Sequence, residues 1–267
     1  MGVLNVTPDS FSDGGRFAST AAAVAHGLRL AEAGADILDV GGESTRPGAE
    51  PAGLQEELER VAPVIEALAR RTPARLSVDT MKPEVAAAAA AAGATIWNDV
   101  NALRAEGALE LAARLDLEVV LMHMQGAPRT MQQAPSYADV VAEVEAFLRA
   151  RVEAAIGQGV ALQRIWIDPG IGFGKTLQHN LALLRGCGAL KSALGRPICI
   201  GVSRKSFISA IEVEAGGSAP AAQARLAGSL AAGLFALDQG ADMLRVHDVA
   251  ETRQAVRVWA ALRGNGR

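Results

Sequence analysis

The sequence predicts an α/β protein of the closed (β/α)8 TIM barrel class. Short apolar runs alternate with longer helical patterns along the whole chain, eight of each, which makes a parallel sheet the expected core. The length of 267 residues suits a closed eightfold barrel, whose usual size is about 250 residues. Every proposed strand also ends in a polar or ionisable residue, as expected where strand ends converge on one mouth. A doubly wound open sheet is the alternative; the regular count favours closure.

The strands read, in order, near Val3–Asn5, Ile37–Val40, Leu76–Asp79, Thr95–Asn98, Val119–Met122, Ile165–Asp168, Ile198–Gly201 and Met243–Val246. Helical stretches lie between them at Ala21–Ala33, Leu54–Arg70, Pro83–Ala92, Ala108–Leu115, Tyr137–Gln158 and Gln178–Ser192. Ser206–Ile211 continues in Ala221–Gln239, and Val249–Leu262 closes the series. Thr20 ahead of Ala21 and Pro83 just inside the third helix are start signals. The alanine run of Val85–Ala92 reads as a tightly packed helix, because Ala is the best helix former. No linker rich in Pro, Gly or Ser interrupts the pattern, so residues 1–267 read as one domain.

Composition excludes several classes of function. Half of the residues are hydrophobic and the net charge is only −3. With no clustered Lys/Arg stripe and few aromatics, nucleic acid is not the expected partner. The two cysteines, Cys187 and Cys199, do not form a disulfide framework and read as packed free thiols in a reducing compartment. No apolar run approaches a membrane span, and the N-terminus lacks the pattern of a secretory signal. The expectation is a cytoplasmic enzyme, in which the sequon Asn5-Val6-Thr7 carries no meaning.

The strand ends carry, in order, Asn5, Asp39 with Glu43, Asp79, Asn98, His123, Asp168, Ser203 with Lys205, and Arg245 with His247. Period-two alternation puts Ser77 with Asp79, Trp166 with Asp168, and Arg245 with His247 on shared faces. Arg and His aimed at one mouth suit a di- or polyanion, because guanidinium makes forked hydrogen bonds to phosphate; a salt bridge to Asp248 or Asp242 is the plainer reading. Asp79, Asn98 and Asp168 suit the opposite partner, a planar heterocycle with a donor-rich edge.

Three motifs need separating. Asp168-Pro-Gly-Ile-Gly-Phe-Gly-Lys175-Thr looks like a phosphate loop but fails its spacing, since Pro stands at residue 169. Ser203-Arg204-Lys205-Ser206 leads into a helix, where an N-terminus seats an anion. Met122-His123-Met124 hints at a soft metal site but reads as barrel rim, with no second cluster to support it. The first loop, from Val6 to Phe17, combines Gly14-Gly15 with few apolar anchors and suits a lid that orders with ligand.

Taken together, these segments resemble dihydropteroate synthase over nearly the whole chain. The opening strand and loop through Gly15 and the segment Asp39-Val-Gly-Gly-Glu-Ser-Thr-Arg-Pro-Gly48 match that family's two most specific signatures. Ser77-Val-Asp-Thr, Trp97-Asn-Asp-Val, Asp168 to Lys175, Ser203-Arg-Lys-Ser and Arg245-Val-His-Asp follow in order. The resemblance implies a (β/α)8 barrel of folate biosynthesis. Such an enzyme joins 4-aminobenzoate to 6-hydroxymethyl-7,8-dihydropterin diphosphate, is assisted by Mg²⁺ and inhibited by sulfonamides, and works as a homodimer. It further implies a catalytic set of Asp79, Asp168, Lys205, Arg245 and His247. Asp79, Asn98, Asp168 and Lys205 would hold the pterin, while Arg245, His247 and Asn5 would face the diphosphate. Asn5 would also ligate Mg²⁺, a hard cation suited to oxygen ligands. Thr45, Arg46 and Pro47, with Phe11, would close over the substrates, and Ser206 and Phe173 would meet the aminobenzoate.

Two other functions compete: a pterin-dependent corrinoid methyltransferase on a similar barrel, and a silent paralogue that only binds pterin. The first needs neither the opening loop nor Ser-Arg-Lys, and the second should have lost Asn5, Arg46, Lys205 or His247; all are present. Members of the resembled family carry residues ahead of the first strand that this chain lacks, which raises a question about packing at the barrel bottom.

Overall fold

The computed structural model describes residues 1–7, 15–44 and 51–264. Eight strands and ten helices alternate along it. The first half runs β1 (Gly2–Asn5), α1 (Gly15–Glu32), β2 (Ile37–Gly41), α2 (Leu54–Ala69), β3 (Arg75–Asp79), α3 (Pro83–Ala92), β4 (Ile96–Asp99), α4 (Ala108–Leu115) and β5 (Glu118–Met122). The second runs α5 (Val140–Gly157), β6 (Ile165–Asp168), α6 (Leu177–Arg185), α7 (Cys187–Leu194), β7 (Cys199–Ile200), α8 (Ser206–Glu214), α9 (Leu226–Asp238), β8 (Met243–Leu244) and α10 (Val249–Leu262).

Strands β1 to β6 pair in sequence order, all parallel, and β7 pairs with β8. Two bridges join these pieces. Ile167 on β6 pairs with Ile198, and Gly2 on β1 pairs with Val246 just past β8. The second seam is held from both sides, by Val3 N donating to Val246 O and Val246 N donating to Met1 O, each at 2.9 Å. The sheet therefore closes on itself, and the open-sheet alternative is excluded.

Alternation along the strands sorts the core. Outward residues such as Leu4, Leu38, Val78, Trp97, Leu121 and Ile167 pack against the helices in one large cluster. Inside the barrel, Met1, Ile37, Ile96, Val120, Cys199 and Met243 form a second cluster, with Trp166 against it. At the N-terminal rim Arg75 pairs with Glu118 at 2.7 Å, and Trp166 Nε1 donates to the same carboxylate. The floor is thus filled by the residues present, with Met1 buried in it.

Three helix readings change. Helix α1 starts at Gly15, so Thr20 lies inside it rather than capping it. Tyr137 precedes α5, because the Asp139 carboxylate accepts from Val141 N at 2.9 Å and Ala142 N at 3.1 Å and sets the start three residues later, at Val140. The stretch read as Gln178–Ser192 is broken into α6 and α7 at Gly186. A Cβ there would stand 3.2 Å from Val141 of α5, so the glycine permits the close approach at the break. Cys187 and Cys199 are free and buried, as expected.

Candidate active site

The mouth is built by strand register. Asn5, Gly41, Asp79 and Asn98 face one another in sequence across β1, β2, β3 and β4, one polar layer at the C-terminal ends. Gly41 contributes no side chain, and a Cβ there would lie 3.5 Å from that of Asp79. One inward step below is Asp39, fully buried on β2.

Asp39 organises this side of the mouth. Its Oδ2 accepts from Arg245 Nε at 2.6 Å and from Asn98 Nδ2 at 3.0 Å. Arg245 Nη2 in turn donates to Asp79 Oδ2 at 2.7 Å. Residues 206 and 166 positions apart in sequence are thereby locked into one network. Burial alone would lower the Arg245 pKa, but Asp39 and Asp79 outweigh it and hold the guanidinium above its ordinary range. Burial pushes Asp79 up to about 7, with Arg245 opposing and Asp39 adding to the rise. Two carboxylates share one guanidinium, so the second negative charge is the costly one. The plainer reading of Arg245 fails in its partners: Asp248 pairs with Arg204, and Asp242 with Lys191. Asp39 stood among the strand-end residues but outside the predicted binding set. No local pattern marks it, because its role lies in partners on β4 and after β8.

The other side of the mouth holds Asp168, Lys205 and Phe173. Asp168 Oδ1 accepts from Gly170 N at 2.7 Å, and among the described residues no hydrogen bond to Oδ2 is found. Burial raises the Asp168 pKa against the pull of Lys205 and that backbone N–H. Lys205 is the N-cap residue of α8 and reaches inward to donate to Ile171 O. Its ammonium stands 4.7 Å from the centre of the Phe173 ring. Burial lowers its pKa to about 8, against the attraction of Asp168. Phe173 also packs with Met122, Met124, Met131, Met81 and Val100 in an apolar patch at the rim.

Residues 169–174 form the loop that carries Phe173, and backbone geometry fixes its course. Gly170, Gly172 and Gly174 all have positive φ. At Gly170 a Cβ would fall 1.9 Å from His123 O, so no other residue fits. The Gly-rich motif that fails as a phosphate loop is therefore a shaped wall of the mouth. His123 is buried behind it, its Nδ1 3.0 Å from Lys175 Nζ. Burial and the Lys175 charge hold the imidazole down to about 3, so it is neutral.

His247 receives its position from Ser203, whose hydroxyl lies 3.1 Å from both His247 N and Nδ1. Ser206 is exposed and is the first residue of α8. Thr45, Arg46, Pro47 and Phe11, with the rest of residues 8–14 of the first loop, lie outside the described residues, while Gly15, Arg16 and Phe17, read as part of that loop, open α1. Asn5 offers a hard amide oxygen at the mouth. Among the described residues no group of three or more His, Cys, Asp and Glu side chains is placed to cage a metal. Mg²⁺ keeps several waters and draws on substrate phosphates besides a few protein oxygens, so the Asn5 amide oxygen would serve as one such oxygen.

This combination of carboxylate and amide acceptors with two inward cations on a barrel mouth has close counterparts. The family model for pterin binding enzymes matches residues 1–247. Dihydropteroate synthase of Escherichia coli (strain K12) is 50% identical over 258 residues, covering 97% of this chain and 89% of that protein. The chain belongs to the dihydropteroate synthase family. The Xanthomonas albilineans dihydropteroate synthase, solved with 4-aminobenzoic acid, superposes with a TM-score of 0.91 at 53% identity, covering 98% of this chain and 92% of that one. The same enzyme solved with 7,8-dihydropteroate gives 0.87 at 50% identity over the same shares. Family membership agrees with the barrel closed through β8, and with an activity of the dihydropteroate synthase type.

Proposed function

We propose that the residues at this mouth carry out dihydropteroate synthesis, condensing 6-hydroxymethyl-7,8-dihydropterin diphosphate with 4-aminobenzoate and releasing diphosphate. The observation that carries this reading is the Asp39–Arg245–Asp79 network facing Asp168 and Lys205 across one mouth. It offers carboxylate and amide acceptors to the donor edge of a pterin, and cations beside them for an anion.

Asp168 takes the pterin's exocyclic amino group and ring N–H, and Lys205 donates to a ring acceptor. Asn98 and Asp79 line the remaining edge. Arg245 lies along the pterin face and, with His247 and Asn5, meets the diphosphate. Asn5 would hold Mg²⁺, which would supply charge neutralisation to the leaving group. Thr45 and Arg46 cover the substrates from the second loop, Phe173 packs on the aminobenzoate ring, and Ser206 takes its carboxylate.

The reaction breaks the bond between the pterin methylene carbon and the diphosphate oxygen, and the electron pair leaves with diphosphate. Arg245 and His247 stabilise that departing charge. The electron-rich dihydropterin spreads the positive charge on the methylene, and Asp79 and Asp168 favour it electrostatically. The aniline nitrogen then forms the new C–N bond and loses a proton to water; the site's task there is positioning.

Residues 1–267 serve as one pterin-binding barrel domain, in a cytoplasmic homodimer whose partners are these two small molecules. Among the described residues no helix is long and apolar enough to cross a membrane. The test is diphosphate release by the intact chain from the two substrates with Mg²⁺, with Arg245→Ala as the control. Release from the pterin substrate without aminobenzoate supports cleavage ahead of attack; strict dependence on aminobenzoate refutes that order. No turnover by the intact chain, with pterin still bound, refutes the enzyme and leaves a binding protein.

A further inference from the structure

Lys175 is the most deeply buried cation in the described part of the mouth, 3% exposed, and the mechanism above does not use it. Its ammonium meets three acceptors. Phe173 O lies at 2.9 Å, His123 Nδ1 at 3.0 Å and His123 O at 3.5 Å. Three N–H donors facing three acceptors on two loops make a clamp. One side is the β5 end at His123. The other is the backbone of the residue whose ring lies beneath Lys205.

The rest of the loop is fastened around this point. Tyr137 Oη donates to Gly174 O at 2.8 Å, and Gln132 Nε2 donates to Gly172 O at 2.7 Å. Asn180 Oδ1 accepts from Gly172 N at 2.7 Å. None of these contacts touches residue 173. Besides Lys175, only one hydrogen bond between its own N–H and Gly170 O, at 3.1 Å, is found for the Phe173 backbone among the described residues.

We propose that Lys175 is the positioning residue for the aminobenzoate end of the site, setting the Phe173 ring against Lys205 through the Phe173 carbonyl and His123. This rests on the reading of Phe173 as the aminobenzoate wall. Burial lowers the Lys175 pKa to about 7, with Asp168 opposing and Lys205 adding to the fall. A neutral amine keeps two N–H donors, so the contacts to Phe173 O and His123 Nδ1 survive in either charge state.

The experiment is Lys175→Met, which keeps length and removes the donors. The KM for aminobenzoate should rise about tenfold, the scale of a small misplacement of a binding wall, while the KM for the pterin diphosphate stays within about twofold. Equal rises in both, or no rise in either, overturn the proposal. If Lys175→Met does not fold, His123→Leu removes the acceptor at the other end of the clamp and should show the same split. His123→Asn, which restores a side-chain acceptor, should recover most of it. Should the wild-type chain itself show no turnover, the functional reading fails while the clamp is still judged, by a crystal structure of Lys175→Met. A Phe173 ring displaced from Lys205 supports the clamp; a ring left in place refutes it.

Discussion

The Asp39 carboxylate gives the sharpest test of how the mouth works. Asp39→Asn preserves shape and removes one negative charge. Both hydrogen bonds at Asp39 converge on Oδ2, from Arg245 Nε at 2.6 Å and Asn98 Nδ2 at 3.0 Å. An asparagine oxygen placed there can accept both, while its amide nitrogen takes the buried Oδ1 position, which has no hydrogen-bond partner among the described residues, so an unpaired N–H adds to the lost charge assistance. Charge-assisted bonds are about twice as strong as neutral ones, which puts the loss near 1–1.5 kcal/mol at Arg245 and about half that at Asn98. The total of about 2 kcal/mol corresponds to a roughly 30-fold fall in kcat/KM if it is felt in the transition state. The assay is the initial rate of diphosphate release at saturating aminobenzoate, with Tm measured alongside. A second readout is specific to positioning by charge. Asp39 helps raise the Asp79 pKa, so its neutralisation should move the acid limb of the pH profile downward. A variant with wild-type kcat/KM and an unmoved acid limb would refute the argument. So would a rate loss accounted for by unfolded protein. Asp39→Ala is the contrasting case: it leaves Arg245 Nε and Asn98 Nδ2 without this acceptor, and its cost of about 3–5 kcal/mol should appear as lost stability.

Other expectations follow from the same geometry. The pH profile of kcat/KM for the pterin substrate should be a narrow bell: Asp79 takes up a proton as pH falls below about 7, and Lys205 loses one as pH rises above about 8. A flat profile from pH 6 to 9 would remove both groups from pterin binding. Gly170→Ala combines a left-handed φ of +70° with a Cβ 1.9 Å from His123 O, whereas Gly195→Ala at φ +59° meets open space. The first should cost at least about 3 kcal/mol, lowering Tm by roughly 6–12 °C, and the second about 1 kcal/mol from backbone strain alone. Similar Tm values for the two variants would show that the loop moves aside freely. Chelation of divalent cations should suppress diphosphate release, with recovery on adding Mg²⁺, and Asn5→Ala should raise the Mg²⁺ concentration needed for half activity. Turnover indifferent to chelator would remove the metal role assigned to Asn5.

The alternation of short apolar runs and helices, each strand ending in a polar group, was enough to give the barrel and to name Asp79, Asn98, Asp168, Lys205 and Arg245 as residues of the mouth. Those properties are written locally, by period and by position at a strand end. Tertiary structure alone decided the partners. It closed β7 and β8 into the ring through single bridges that two-residue strands could not announce. It paired Arg245 with Asp39 and Asp79 instead of its sequence neighbours, and it turned a failed phosphate motif into a wall held by Lys175 against His123. A sequence fixes which groups reach the mouth. Which carboxylate meets which cation depends on the closure and register of eight strands, and on how far burial removes each group from water, and neither has a local signature.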